Sequence, residues 1–330
     1  MGEVSNIPLQ QSVAALESAF KNFFNSCSCK RKGRKVGYPK FKKRTNSQSA
    51  RFRIGGFSIK GDGVYLAKIG IVKPVWSREL PSEPSSVTVI KDCANRYFLS
   101  FVVEVEPDRV DSKNQSIGID LGIKTFAVMS NGETAQSPSY KKLDRKIRTR
   151  QRKLARQAKD SKRRNKTRIQ IARLHNRIAD ARKEFLHKLS TKIVNENQVI
   201  VLEDMNGSGM LKNRKLSRVI SQQGWYEFRV LCEAKSDKLG REFRVISRWE
   251  PTSQVCADCG FKWGKIDLSI RSVLCLNCGT QQDRDLNAAR NINKVGIGHC
   301  HDSKRTQRDC KTGLPARPDE ASRITALLGR

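Results

Sequence analysis

The sequence predicts an α/β chain: a mixed-sheet core into which a basic helical hairpin and a cysteine ribbon are inserted, preceded by a small antiparallel β-barrel and a helical remnant. Three observations predict it. Between Ser116 and Ser247 the order is strand, strand, helices, strand, helix, strand, with acids near the strand ends, an α/β order in which sites gather at strand ends. Nineteen Lys and Arg against three acids crowd the stretch from Lys141 to Lys183. Two CxxC pairs, Cys256 with Cys259 and Cys275 with Cys278, stand fifteen residues apart.

Residues 8 to 25 place Leu9, Val13, Leu16, Phe20 and Phe23 or Phe24 at helical spacing, which predicts one amphipathic helix. A basic loop follows at 26 to 48, with Tyr38 and Phe41 among its cations, as suits a segment lying on a phosphate backbone. Together these make the helical remnant, 1–49. From 50 to 110, short β runs broken by GG, GDG and DCANR predict a small antiparallel barrel.

The core is predicted over 111–250 and 281–298. In SIGIDLGIKTFAVMSNGE, Ile117, Ile119 and Leu121 alternate with Gly118, Asp120 and Gly122, and Thr125 to Met129 reads as the second arm of a hairpin. Burying Asp120 unpaired is costly, so it faces a cleft, a cation or a partner, or else caps a turn in an ordinary core strand. The basic hairpin, 139–192, breaks near 159 to 166. Its Arg145, Arg148, Arg152, Arg163 and Arg164 are candidate phosphate contacts. Strand QVIVLE then ends at Glu203, a helix is expected over Ser221 to Leu239, and a strand over Glu242 to Ser247.

The cysteine pairs, each followed by Gly (260 and 279), have the spacing of two knuckles holding one Zn²⁺ with four thiolates, which predicts a zinc ribbon over 251–280. Four thiolates close the coordination shell, so this zinc is structural. After it, QDRDLNAARNI opens a helix with acids in its first turn. Residues 299–330, with a loose His299, Cys300, His301 group, read as a basic mobile tail.

Composition narrows the partners. Sixty-five Lys and Arg against 32 Asp and Glu give a net charge of +33 and favour a polyanion, above all nucleic acid. No run approaches 18 apolar residues, so no membrane partner is expected. Ten cysteines without an export signal point to a reducing, cytoplasmic setting.

GIDLG at Asp120, VLEDMN at Glu203, the two CxxC pairs and DRDLNAARNI at Asp285, in this order, resemble the transposon-encoded TnpB (OrfB) family, relatives of the type V CRISPR effectors. TSQVCADCG, RKVGYPKFKKR and ALESAFKNFF also look like family segments. The resemblance implies a RuvC/RNase H-like core whose catalytic acids are Asp120, Glu203 and Asp285, with Asp204 and Asp283 only as neighbours. Three hard carboxylates suit Mg²⁺ or Mn²⁺. The family further implies a guide RNA from the transposon end, a DNA target, and a place at the prokaryotic nucleoid. Family members usually begin with a further segment, so this chain reads as an N-terminally short copy. A non-cleaving relic or repressor and a strand-transfer transposase are the alternatives. An actin-like or sugar-kinase phosphate loop also begins IGIDLG, but Ile123 and Lys124 replace its phosphate-binding Gly, Ser or Thr.

Overall fold

The computed structural model describes residues 4–31, 35–41, 47–106, 111–205, 207–267, 269–298 and 322–328. They fall into two compact units, one drawn from residues 1–106, 149–173 and 316–330, the other from 107–148 and 174–315. Among the described residues no helix is long and apolar enough to cross a membrane.

The first unit begins with helix α1 (Asn6–Cys27), followed by strands β1 (Gln48–Arg53), β2 (Phe57–Lys60), β3 (Gly63–Leu66), β4 (Gly70–Val72), β5 (Pro74–Val75), β6 (Ser86–Lys91) and β7 (Tyr97–Val103). Strands β2, β3 and β4 form one antiparallel sheet, and β1, β6 and β7 belong to another. Alternation along β1, β3, β6 and β7 turns Phe52, Val64, Leu66, Val87, Leu99 and Phe101 into a shared core. Trp76 stacks on Phe101 with ring centroids 5.5 Å apart. Tyr38 of the basic loop meets Phe20 and Phe23 of α1 edge-on, each at 5.4 Å, while Phe41 is fully exposed.

The other unit holds β8 (Asn114–Leu121), β9 (Ala127–Met129), β10 (Thr134–Ala135), β11 (Asn197–Glu203), β12 (Glu242–Ile246), β13 (Ser272–Leu274) and β14 (Gln281–Asp283). Its main sheet has the order β10-β9-β8-β11-β12; β9 pairs antiparallel with both β10 and β8, and β11 pairs parallel with both β8 and β12. Helices α2 (Lys141–Ala155) and α3 (Lys162–Glu196) form the basic hairpin, and α4 (Gly207–Met210), α5 (Ser217–Gln223), α6 (Trp225–Leu239) and α7 (Arg284–Gly298) follow. On one face of the sheet, Ile117, Ile119, Ile200 and Leu202 meet Leu186, Leu189 and Ile193 of α3 and Phe228 and Cys232 of α6. On the other, Val201 and Ile246 meet Ile292 of α7.

Two expectations change. The helix predicted over 221–239 is divided at Gly224, which takes φ +75 and closes α5 before α6 begins. A side chain there would be strained and would crowd Leu186 and Arg182. The predicted mobile tail ends in a strand, β15 (Ser322–Leu328), which lies antiparallel between β7 and β5. The β-branched and apolar run Ile-Thr-Ala-Leu-Leu suits a strand, and β7 offers it a hydrogen-bonding edge. The rest of 299–330, including the His299, Cys300, His301 group, lies outside the described residues.

Candidate nuclease and zinc sites

Parallel register sets the first two acids. Ile119 of β8 stands opposite Leu202 of β11, so Asp120 and Glu203, each one residue further on, occupy equivalent positions on strands ~4.8 Å apart and share a face. Helix α7 supplies the third. It crosses β8 at Gly118, where an added Cβ would overlap the Ala289 carbonyl and the Asn293 nitrogen. Asp285 lies one turn before Ala289, ~6 Å along the helix, and Asp120 lies two residues beyond Gly118, ~6.6 Å along the strand. Glycine at 118 therefore brings the start of α7 level with the two strand acids.

The electrostatics agree with this convergence. Asp120 is pushed up to about 7, first by burial and then by the negative charges of Asp285 and Glu203. Burial also raises Glu203, whose Oε2 accepts from Thr252 Oγ1 at 3.5 Å. Asp285 is held by Arg271, whose Nη1 donates to both carboxylate oxygens at 3.0 and 3.2 Å. Two acids press on the buried charge of Asp120, and a cation of higher charge would relieve it.

The neighbouring acids are engaged elsewhere. Asp283 caps α7, its Oδ1 accepting from the backbone N–H groups of Asp285 at 2.9 Å and Leu286 at 3.0 Å. Asp204 binds Arg229 at 2.9 Å through one oxygen and Arg248 through the other. These guanidiniums hold its carboxyl below the usual range, with Arg248 the larger influence.

The four cysteine sulfurs lie within 4.8 Å of one another. Cys256 and Cys278 sulfurs are 3.8 Å apart, and Cys259 and Cys275 sulfurs 3.5 Å, close to the ~3.8 Å edge of a tetrahedral site with ~2.3 Å metal–sulfur bonds. Each knuckle closes through a glycine N–H, Gly260 to the Cys256 carbonyl at 3.0 Å and Gly279 to the Cys275 carbonyl at 2.8 Å. Both glycines have φ above +70. Four converging thiols fit a soft tetrahedral ion, and Zn²⁺ is the ordinary occupant of such a set.

Buried amides join this loop to α7. Asn287 accepts from the Ala257 N–H at 2.7 Å and donates to the Val255 carbonyl at 2.8 Å, and Asn291 donates to the Thr252 and Val255 carbonyls, each at 2.7 Å. Thr252 in turn reaches Glu203. Sequence reasoning missed Thr252, Arg271, Asn287 and Asn291; the i, i+4 spacing of the two asparagines was the available signal.

The hairpin arginines divide. Arg145, Arg148, Arg152 and Arg163 are exposed. Arg164 has a structural use, its Nη1 donating to the Leu154 carbonyl at 2.7 Å and the Gln157 carbonyl at 3.0 Å at the end of α2.

Comparison with known proteins decides the family. The OrfB_IS605 profile, described as "Probable transposase", matches residues 100–214, and the Cas12f1-like TNB domain profile matches 225–292. A "Putative RNA-guided DNA endonuclease" of Streptomyces pristinaespiralis is 40% identical over 338 residues, spanning 100% of this chain and 82% of its own. The chain belongs to the TnpB (OrfB) family. InsQ of Escherichia coli K12, also named a putative RNA-guided DNA endonuclease, is 31% identical over 310 residues, covering 88% of this chain and 74% of its own. The CRISPR-associated endodeoxyribonuclease Cas12f1 of Sulfoacidibacillus thermotolerans is 26% identical over 248 residues, 68% of this chain and 56% of its own.

Proposed function

We propose that this TnpB-family chain is an RNA-guided DNA endonuclease of an insertion sequence, cutting phosphodiesters at Asp120, Glu203 and Asp285. The observation that carries the proposal is the convergence of these acids at the ends of β8 and β11 and the start of α7, where burial first, and then the charges of Asp285 and Glu203, push Asp120 up to about 7. The sheet order, an antiparallel hairpin followed by two parallel strands, supports a RuvC-type core over 111–250 and 281–298. The names of its relatives support a guide RNA and a DNA target; a place at the nucleoid in the cytoplasm is part of the same reading.

The three carboxylates would hold Mg²⁺ or Mn²⁺, which supplies an activated water and stabilises the leaving oxygen. Asp120 and Glu203 are fixed by adjacent strands and Asp285 by α7, so the donors arrive preorganised. Glu203 is further oriented by Thr252, and Arg271 pairs with Asp285, which would hold its carboxylate in position for the ion. The Cys256, Cys259, Cys275, Cys278 ribbon, with Zn²⁺, would keep the loop from Thr252 to Ala257 in the shape that Asn287 and Asn291 grip.

The test is cleavage of a supercoiled plasmid by protein co-expressed with the RNA of its own locus, with Mg²⁺, comparing guide-matched and unmatched targets. Matched-only cutting should fall on the order of 10³-fold or more in Asp120→Ala. Unchanged cutting would reject the site, retained binding without any cutting by the native chain would favour a repressor, and joined rather than cut products would favour strand transfer.

A further inference from the structure

The first unit carries a groove whose chemistry runs against that of the chain as a whole. Two adjoining hollows, of about 570 and about 630 Å³, share Ile59 and Leu80 in their lining. The apolar part of that lining is Ile54, Phe57, Ile59, Trp76, Leu80 and Pro84, with Ile54 78% exposed and Ile59 40%. Its charged part is Arg78 against Glu79, Glu83 and Glu104. All three glutamates are exposed, and among the described residues none has a cationic partner. In a chain with 65 Lys and Arg, that is an unsatisfied acidic rim around an apolar floor.

The walls are fixed in advance. Trp76 stacks on Phe101, and its Nε1 donates to the Asp62 carbonyl at 2.9 Å. The segment 81–85 is pinned to the end of β7, where Ser82 Oγ donates to the Glu104 carbonyl at 2.7 Å and the Ser85 N–H to the Val102 carbonyl at 2.9 Å. The other wall is β2, an outer strand of its sheet. The Ala67 N–H donates to the Gly56 carbonyl at 2.9 Å, and Lys60 stands opposite Gly63 across the turn. Alternation then turns the backbone groups of Gly56, Ser58 and Lys60 toward β3 and those of Phe57 and Ile59 outward. Phe57, Ser58 and Ile59 all line the hollow, although successive side chains point to opposite faces, so the hollow follows the free edge of the strand.

We propose that this groove binds an extended, basic segment of a partner protein as an added strand on β2. The outward N–H and C=O groups of Phe57 and Ile59 pair with the backbone of the segment, apolar side chains on one of its faces fill the lining at Ile54, Trp76 and Leu80, and its Lys or Arg side chains meet Glu79, Glu83 and Glu104. The edge requires an extended backbone and the rim requires positive charge. Three carboxylates repel phosphate, so nucleic acid, the partner that the net charge favours elsewhere, is excluded here. At physiological salt the Debye length is ~8 Å, so distant cations of the chain are screened and the local acids decide. The groove lies wholly within the first unit, and its binding chemistry is independent of the nuclease reading.

The test is fluorescence anisotropy of the full, nucleic-acid-free chain at physiological salt, with short labelled peptides that alternate Val with Lys or Arg. The basic peptide should bind, and a counterpart with Glu at every charged position should bind roughly 10-fold more weakly or worse. A counterpart with N-methylated backbone, which cannot pair with β2, should lose about as much. Glu83→Lys with Glu104→Lys should weaken the basic peptide roughly 10-fold or more and admit the acidic one, with Glu83→Gln and Glu104→Gln in between. Amide exchange over the segment from Gly56 to Lys60 should slow when the basic peptide is added. No binding, equal binding of basic and acidic peptides, an unchanged affinity in the charge-reversed variant, or exchange that stays the same would each overturn the proposal. So would displacement of the peptide by single-stranded DNA or RNA in the native chain but not in that variant, which would give the groove to nucleic acid. A dimer of the native chain that Glu83→Lys with Glu104→Lys dissociates would give it to a second copy.

Discussion

The two candidate metal sites of the second unit are built on opposite principles. The cysteine site is closed: two tight turns aim four sulfurs at one point, and buried asparagine bonds tie the preceding loop to α7. The carboxylate site is assembled from separate elements, its three acids coming from β8, β11 and α7, and Asp120 is pushed up to about 7 first by burial and then by the charges of Asp285 and Glu203. The first has the form of a fixture and the second of a place that waits for a cation. Structural ligands are selected to be satisfied together, whereas reactive ones are held together despite their repulsion.

The largest effect should come from opening the closed site. Cys275→Ser removes a buried ligand, and, with zinc worth several kcal/mol or more to folding, the variant should lose tetrathiolate Co²⁺ absorption and melt well below the native chain. Equal melting with zinc content unchanged would break the contrast from the cysteine side.

A smaller effect, of opposite sign, is expected at the acids. Since the folded pKa of Asp120 is about 7 against an ordinary 3.8, the folded state holds the proton more tightly, and stability falls as pH rises from about 4 through 7. Above pH 7 the cost approaches ~4 kcal/mol. Without added Mg²⁺, Asp120→Asn should therefore be more stable than the native chain at pH 8 and nearly equal at pH 4, as read by urea unfolding. A constant difference across that range would mean that neither burial nor the neighbouring acids raise Asp120.

Smaller still is the joint between the two sites. Asn291→Ala leaves the buried Thr252 and Val255 carbonyls without their donor, at a cost of ~1–3 kcal/mol. Since Thr252 orients Glu203, cleavage should fall more than zinc content. Loss of zinc before loss of cleavage would place the joint on the ribbon's side alone.

The elements that carry chemistry were legible because each has a local signature. Alternation around Asp120 marks a strand, the paired CxxC spacing marks knuckles, and the acidic start of DRDLNAARNI marks a helix terminus, all of which the structure contains. What escaped was decided by distant neighbours. Gly224 stands among good helix formers, and only its approach to α3 reveals a break. Strand β15 follows a polar, basic stretch, and its pairing is with β7, more than 200 residues earlier. Arg271 is one of 65 cations in the sequence, and nothing local distinguishes the one that meets Asp285. Arg164 reads in the sequence like the other candidate phosphate contacts of the hairpin, but in the structure it reaches the end of α2.

The most direct measurement is calorimetric titration of the zinc-loaded chain with Mn²⁺, compared across Asp120→Ala, Glu203→Ala, Asp285→Ala and Asp204→Ala. If three acids share one cation site, each of the first three variants should lose binding while Asp204→Ala, whose carboxylate is occupied by Arg229 and Arg248, retains it. Undiminished Mn²⁺ binding in the first three, or loss confined to Asp204→Ala, would contradict the assignment of the site.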